Sequence, residues 1–291
     1  MVAATSTEET LRSFILSFLK SSSTDELNAV FREIASIVLI DGSKRGGPKI
    51  GVVNGVWMEQ SLSVNSSLKD LFENFFKAPF AQVDFRFKAE EVCKEVNSWA
   101  SNHTNGLIKN IIPSGSVTSY TDCIYGNALY FKGTWQNKFS DSLTSNKEFH
   151  LLNSTSVSVP FMRSFGKQYI RAYDGFKVLK LPFRQGDDTK RQFSMYFYLP
   201  DKKDGLADLV KEMASTSGFL DSHIPSQVDE FRIPKFKIEF GFEASRAFSE
   251  LELDSVSMYH KAWLEIDEDG AKAMTISFLN SKGIYGTSTL S

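Results

Sequence analysis

The chain has 291 residues, of which 42% are hydrophobic and 13% aromatic, so it can bury a sizeable core as a globular protein. Its 33 basic and 35 acidic residues are interspersed and leave a net charge of −2, which excludes nucleic acid and anionic membrane surfaces as expected partners. Residues 1–9 are polar and acidic, unlike a secretion signal, and no apolar stretch is long enough to cross a membrane. The sequence therefore predicts a cytoplasmic protein.

The first part of the chain is predicted to be mostly helical. Ser6 and Glu9 form a capping box before a helix whose apolar residues recur at helical spacing as far as Leu19. Thr24 can cap a second helix, which ends before the Gly-rich loop at 41–48. The elements expected next are a strand at 50–57, a helix at 67–76, a short strand at 81–85, and a helix that carries Val92, Val96 and Trp99 and ends near Gly106.

From Ile124 onward the pattern is mostly that of β-structure. Strands are predicted where Phe, Tyr and Val recur between Gly, Asp and Pro, at 157–162, 176–182 and 193–199. Short helices are expected at 206–213 and 244–253. Because no repeat or linker interrupts the chain, we predict one α+β domain over residues 1–291, with helices early and sheets late.

Motifs of the common enzyme classes are absent from the sequence. It contains no Gly-x-Ser-x-Gly elbow, no phosphate-binding Gly loop and no His-Glu-x-x-His pair, and its 4 histidines are scattered singly. Asp267, Glu268 and Asp269 form an acidic cluster, which beside Gly270 is interpreted as a solvated turn rather than a metal site. We therefore predict no enzyme activity, no metal and no cofactor.

The most informative segment lies near the end of the chain. Trp263, Leu264 and Ile266 follow a strand pattern, which is interrupted by the acidic cluster and Gly270 and continues into small residues. This order predicts a strand that leads into a mobile loop.

Residues 260–273 resemble the hinge of a serpin, the segment that carries the protease-baiting reactive loop. Other segments resemble the same family: 127–135 with Phe139, 96–99 with 104–108, and 231–238. The stretch 191–200 resembles the plant members most. The resemblance extends over roughly residues 7–276. It implies an α+β fold of several sheets with surrounding helices, from which the family's N-terminal helices and C-terminal core strands are missing.

The resemblance also implies a function. A serpin inhibits a protease when the exposed loop is cleaved and its hinge side inserts as a new central strand, which drags the acylated protease along and distorts it. The partner would be a serine protease or a papain-like cysteine protease. Residues 267–291 would then be the hinge and a remnant of the reactive loop. The residues carried over are Glu268, Gly270, Ala271, Ala273 and Thr275 in the hinge, Ile284 and Tyr285 at the scissile bond, and Asn127 and His260 as a polar pair beneath the sheet.

Insertion makes a demand on the two faces of the new strand, because successive side chains point to opposite sides. Ala271, Ala273, Thr275 and Ser277 would line one face, which we expect to lie toward the crowded interior, and Lys272, Met274, Ile276 and Phe278 the other. This second face is bulkier than the small residues the family uses there, and Ala271 stands where inhibitory members usually carry Thr.

Two functions follow from the sequence. One is a serine protease inhibitor impaired by truncation, and the other is a non-inhibitory serpin that acts as a protein-binding scaffold or has no activity. The family resemblance keeps the extracellular space open as a location. Strands left without cover by the missing segments predict self-association.

Overall fold

The computed structural model describes residues 9–64, 66–164, 168–225, 227–228, 231–244 and 256–282. The helices of these residues are α1 (Glu9–Phe18), α2 (Thr24–Glu33), α3 (Ser66–Asp70), α4 (Phe85–His103), α5 (Leu206–Ser215) and α6 (Phe219–Ser222). A π-helical turn extends α2 over Ile34–Val38, another extends α3 over Leu71–Phe75, and 3₁₀ turns lie at Ser43–Arg45 and Asp141–Leu143. None of the described helices combines the length and the apolar character that a membrane span requires.

The strands fall mostly in the second half of the chain, as the sequence predicted. They are β1 (Lys49–Glu59), β2 (Phe80–Val83), β3 (Thr121–Thr134), β4 (Ser145–His150), β5 (Ser156–Ser164), β6 (Gln168–Tyr173), β7 (Phe176–Pro182), β8 (Ser194–Pro200), β9 (Gln227–Val228), β10 (Phe231–Pro234), β11 (Phe236–Glu243), β12 (Val256–Ile266) and β13 (Gly270–Lys282).

The strands form several sheets, which confirms the predicted α+β class. The largest has 6 strands in the order β11-β12-β13-β3-β1-β2, and the others have 4 strands (β8-β7-β6-β9) and 3 strands (β10-β5-β4). In the large sheet β13 runs antiparallel to both β12 and β3. The sheet therefore has β13 near its middle.

The N-terminal helical pattern is confirmed in its positions but not in every cap. The side chain of Ser23, rather than Thr24, accepts a hydrogen bond from the backbone N–H of Glu26 and caps α2. Ser23 has the extended backbone that an N-cap requires, whereas Thr24 already lies in the first helical turn. Ser6 of the predicted capping box and the helix expected at 244–253 fall outside the described residues, except for Ala244.

The core on one side of the large sheet lies beneath α4. Residues of α4, including Val96 and Ala100, pack on Trp57 of β1 and on Phe278 of β13. The opposite face is covered at its two ends by separate clusters, one around Phe72 and Phe76 and the other around Trp135 and Phe183. Between these clusters the middle of that face is only partly covered, and β13 passes through it.

Candidate functional site: the acidic turn and the strand that follows it

The acidic turn, Asp267–Asp269, joins β12 to β13 and is held by its own hydrogen bonds. The carboxylate of Asp267 accepts from the backbone N–H groups of Asp269 and Gly270, each at 3.0 Å. The indole N–H of Trp135 donates to the carbonyl of Asp267 at 2.9 Å, and the backbone N–H of Trp135 donates to the carbonyl of Asp269 at 2.9 Å. The turn is thus fixed against the end of β3 rather than free in solvent.

Glu268 is the buried member of the acidic turn. Only 8% of the residue is exposed, and its carboxylate accepts hydrogen bonds from Lys235 and from the hydroxyl of Thr144. Burial alone would raise the pKa of Glu268, but these hydrogen bonds outweigh it and leave the pKa below its usual value. The interpretation of a solvated turn is therefore wrong for Glu268, because Lys235 and Thr144, which are distant from it in sequence, bind its carboxylate in a buried position.

Gly270 begins β13 at a very close approach to β3. A Cβ atom at this position would lie 1.9 Å from the backbone carbonyl oxygen of Gly133 on β3, next to Thr134, which is the cross-strand partner of Gly270. No side chain fits there without a shift of the backbone. Gly270 therefore allows the chain to enter the sheet directly after the turn.

Residues after Gly270 form a central strand instead of the mobile loop predicted from the sequence. β13 pairs with β3 from Gly270 to Lys282 and with β12 from Ala271 to Ser281. The prediction of a loop is wrong for the described residues, because the backbone of this segment pairs with β12 on one side and with β3 on the other. Hinge residues Ala271, Ala273 and Thr275 all lie within β13.

The two faces of β13 differ from those expected over most of the strand. Met274, Ile276 and Phe278 are 0–1% exposed and lie in the core beneath α4. Thr275 and Ser277, on the small-residue face, are only partly buried. Ala271, at the start of that face, is 2% exposed and lies in the cluster around Trp135 and Phe183. The expectation that the small side chains meet the crowded interior therefore holds for Ala271 but is wrong for Thr275 and Ser277, because the interior beneath α4 has room for the bulky side chains of the opposite face.

Phe278 shows how that room arises. Its ring lies 6.2 Å from Trp57 and 5.8 Å from Trp99, measured between centroids. On the adjacent strand a Cβ at Gly126 would lie 2.5 Å from the ring, so the absence of a side chain at Gly126 makes the space that Phe278 fills. Gly126 is not among the residues predicted to be important, although a glycine inside a strand is a recognised signal of close approach.

Asn127 and His260 are brought onto one face of the sheet, but they do not contact each other directly. The register places Ser277 of β13 between them, opposite both. The Nδ1 atom of His260 lies 2.8 Å from the hydroxyl oxygen of Ser277, and the amide of Asn127 donates to Asn54 at 2.8 Å. We propose that this row of polar side chains fixes the register of β13 within the sheet.

We expect His260→Gln to remove part of the pH dependence of stability. Burial lowers the pKa of His260 below its ordinary value of 6.5. The unfolded chain therefore binds the proton more readily than the folded one, so stability falls as the pH drops below about 6.5. Urea unfolding at pH 7.5 and 5.5 measures this change, with His150→Gln on the exposed strand β4 as the control. Equal pH dependence in wild type and His260→Gln would show that His260 is solvated in the folded protein.

The C-terminal end of β13 carries buried polar side chains whose hydrogen bonding is incomplete. Asn280 and Ser281 are 0% exposed, and neither the carbonyl oxygen of the Asn280 amide nor the hydroxyl of Ser281 has a hydrogen-bond partner among the described residues. Each buried polar atom without a partner costs about 1–3 kcal/mol. Ile284 and Tyr285, the predicted scissile bond, lie outside the described residues.

No group of three or more His, Cys, Asp or Glu side chains within the described ranges is arranged to hold a metal ion. Both cysteines, Cys93 and Cys123, are buried and form no disulfide.

The site is built from a fixed acidic turn, a glycine at a close approach and a central strand with one bulky face.

Comparison with known proteins agrees with this geometry. The family model for serpins (serine protease inhibitors) matches residues 1–257. The Arabidopsis thaliana protein named "Probable non-inhibitory serpin-Z5" is 69% identical over 97% of this chain, and the chain spans 66% of its length.

Solved structures give the same result. One titled as the native stressed conformation of AtSerpin1 from Arabidopsis shares 52% identity and a TM-score of 0.83, over 92% of this chain and 75% of that one. A loop-inserted structure of a cleaved ovalbumin mutant shares the fold, with a TM-score of 0.70 at 20% identity, over 82% of this chain and 68% of that one.

Proposed function

Because the chain belongs to the serpin family, we propose that it is a non-inhibitory serpin whose segment Gly270–Lys282 is a permanent strand of the large sheet. In this role it meets proteases as a binding scaffold or as an ordinary substrate and does not trap them. The observation that carries the proposal is the pairing of β13 along its length with both β12 and β3.

The energetics of trapping explain why this pairing matters. Trapping in this family draws its energy from the entry of the loop into the sheet after cleavage. When the strand is in the sheet before the protease arrives, cleavage has no strand left to insert. The protease can then complete hydrolysis and leave.

The bulky face of β13 favours the inserted arrangement. Withdrawal of the strand would expose Met274, Ile276 and Phe278, each of which is essentially fully buried. Full burial of one such side chain contributes about 1.5–3 kcal/mol. This cost of withdrawal supports a strand that stays in place.

The name of a close relative supports the same proposal. The 69% identical Arabidopsis protein is described as a probable non-inhibitory serpin. Ala271 in the hinge, where inhibitory members usually carry Thr, points in the same direction.

An inhibitor is the second candidate, and the hinge favours it. Glu268 and Gly270 match the family's hinge, and a relative with 52% identity was solved in a form that its title calls native and stressed. For this candidate the target would be a serine or papain-like protease, and β13 would have to leave the sheet before cleavage.

We expect no covalent complex when the protein is mixed with trypsin, chymotrypsin or papain and analysed by denaturing electrophoresis. An inhibitory serpin treated in parallel is the positive control, and the protein with a chemically inactivated protease is the negative control. The melting temperature of protein nicked after Lys282 should equal that of intact protein, because β13 pairs in both forms. A denaturation-resistant adduct of summed mass, or a large rise in melting temperature on nicking, would favour the inhibitor.

A further inference from the structure

Strand β11 forms one edge of the large sheet, and no described strand pairs with its outer side. Ile238, Phe240 and Phe242 alternate along one of its faces and are 47%, 53% and 53% exposed. The rings of Phe240 and Phe242 stack with centroids 6.3 Å apart. An exposed apolar edge strand of this kind is a template for the addition of another strand.

The other face of β11 carries charges, and their order is self-complementary. Lys237, Glu239, Gly241 and Glu243 follow one another on that face, and all are exposed. If a second copy of β11 pairs antiparallel around a two-fold axis at Phe240, Lys237 stands opposite Glu243 of that copy, twice by symmetry. Glu239 then stands opposite Gly241, so no like charges meet.

The same register joins the apolar side chains of the two copies. Phe240 stands opposite Phe240 of the second copy, and Ile238 stands opposite Phe242. Directly opposed side chains in an antiparallel pair are close enough to pack against each other. The aromatic row of one copy would thus continue into the row of the other.

Neighbouring registers are less favourable. An axis at Glu239 places this carboxylate opposite itself, and an axis at Gly241 places Glu239 opposite Glu243. An axis at Ile238 pairs Lys237 with Glu239, but the ladder then ends at Phe236, where the strand begins. Of these registers, only the one centred on Phe240 pairs almost the whole strand and places unlike charges opposite each other.

We propose that β11 pairs with β11 of a second copy in the register centred on Phe240, which makes the protein a two-fold symmetric dimer. A second copy is the occupant because the charge order of β11 complements itself. The dimer would continue the large sheet from one copy into the other and bury an edge with which no other strand of the described residues pairs.

Charge exchange tests both the dimer and its register. Sedimentation should find a dimer for the wild type, and Lys237→Glu should raise the dissociation constant by about tenfold or more, because a glutamate then faces Glu243. The double variant Lys237→Glu with Glu243→Lys should restore the wild-type constant. Lys211→Glu on α5 is the matched control and should leave dimerisation unchanged.

Phe240→Lys gives an independent measurement, because it places two lysines face to face at the axis. It should yield a monomer that still unfolds cooperatively, whereas Phe87→Lys, at a residue 89% exposed on α4, should remain a dimer. A monomeric wild type would overturn the proposal. If Glu239→Lys restored dimerisation of the Lys237→Glu variant and Glu243→Lys did not, the register would be wrong, because Lys237 would then face Glu239 of the second copy.

Discussion

Replacement of Phe278 by alanine should lower the free energy of unfolding by about 3–5 kcal/mol. The side chain is 0% exposed and lies between Trp57 and Trp99, over the space that Gly126 leaves open. Alanine would leave a cavity at the centre of the core beneath α4, where α4 and the sheet are too rigid to close it completely. Urea unfolding monitored by tryptophan fluorescence measures the loss.

Thr275→Ala is the matched control for Phe278→Ala. Thr275 lies on the same strand but on the opposite, partly exposed face, so we expect a cost below about 1 kcal/mol. A large loss for Phe278 with a small loss for Thr275 requires β13 to be in the sheet with its bulky face inward. Small losses at both positions would mean that the segment is a solvated loop.

Gly270→Ala should destabilise the protein by about 3 kcal/mol, which is the second large effect. The added Cβ would collide with the carbonyl oxygen of Gly133, 1.9 Å away, and an atom of the backbone cannot rotate aside as a side chain can. The start of β13 must therefore shift away from β3. The same unfolding experiment gives the value.

Gly51→Ala is the control for this substitution. Gly51 also lies within a strand of the large sheet, but a Cβ there would meet only the Cβ of Tyr130 at 3.8 Å, an ordinary contact. We expect no loss of stability at Gly51, because alanine is better suited than glycine to a strand interior. If Gly270→Ala were equally neutral, the close approach of β13 to β3 could not be correct.

Local patterns in the sequence were sufficient to predict most of the helices and strands. The predicted strand at 176–182 coincides with β7, and the helix that carries Val92 and Val96 is α4. These elements have strong alternation or helical spacing and need no distant partner to be recognised. The sequence pattern predicts the cap of α2 one residue late, because Ser23 and Thr24 are both good capping residues and only the backbone angles distinguish them.

The place of β13 could not be predicted from local pattern. One of its two neighbours, β12, directly precedes it in sequence, whereas the other, β3, is far away in sequence. A strand pattern does not indicate with which strands the segment will pair. The direction of its faces depended on Gly126 and on the two tryptophans near Phe278, contributed by β1 and α4. Such long-range complementarity is visible only once the elements are assembled.

The partners of the acidic turn were missed for the same reason. Lys235 and Thr144 stand in segments with no local signal of a role, yet they hold Glu268 in a buried position. Strand alternation predicts the face on which Ser277 lies but not its contact with His260, since that contact depends on the register of β12 and β13. Asn127 and His260 were chosen by family resemblance, and no spacing in the sequence connects them.

Hydrogen–deuterium exchange of the native protein is the most direct measurement of whether Gly270–Lys282 is a permanent strand. Amides from Ala273 to Phe278 should exchange as slowly as those of β3 and β12, because β13 pairs with strands on both sides. Slower exchange in the middle than near Asn280 and Ser281 is also expected, given the buried polar atoms at that end. Exchange of this segment as fast as that of an exposed loop, while β3 and β12 stay protected, would show that Gly270–Lys282 is not a permanent strand.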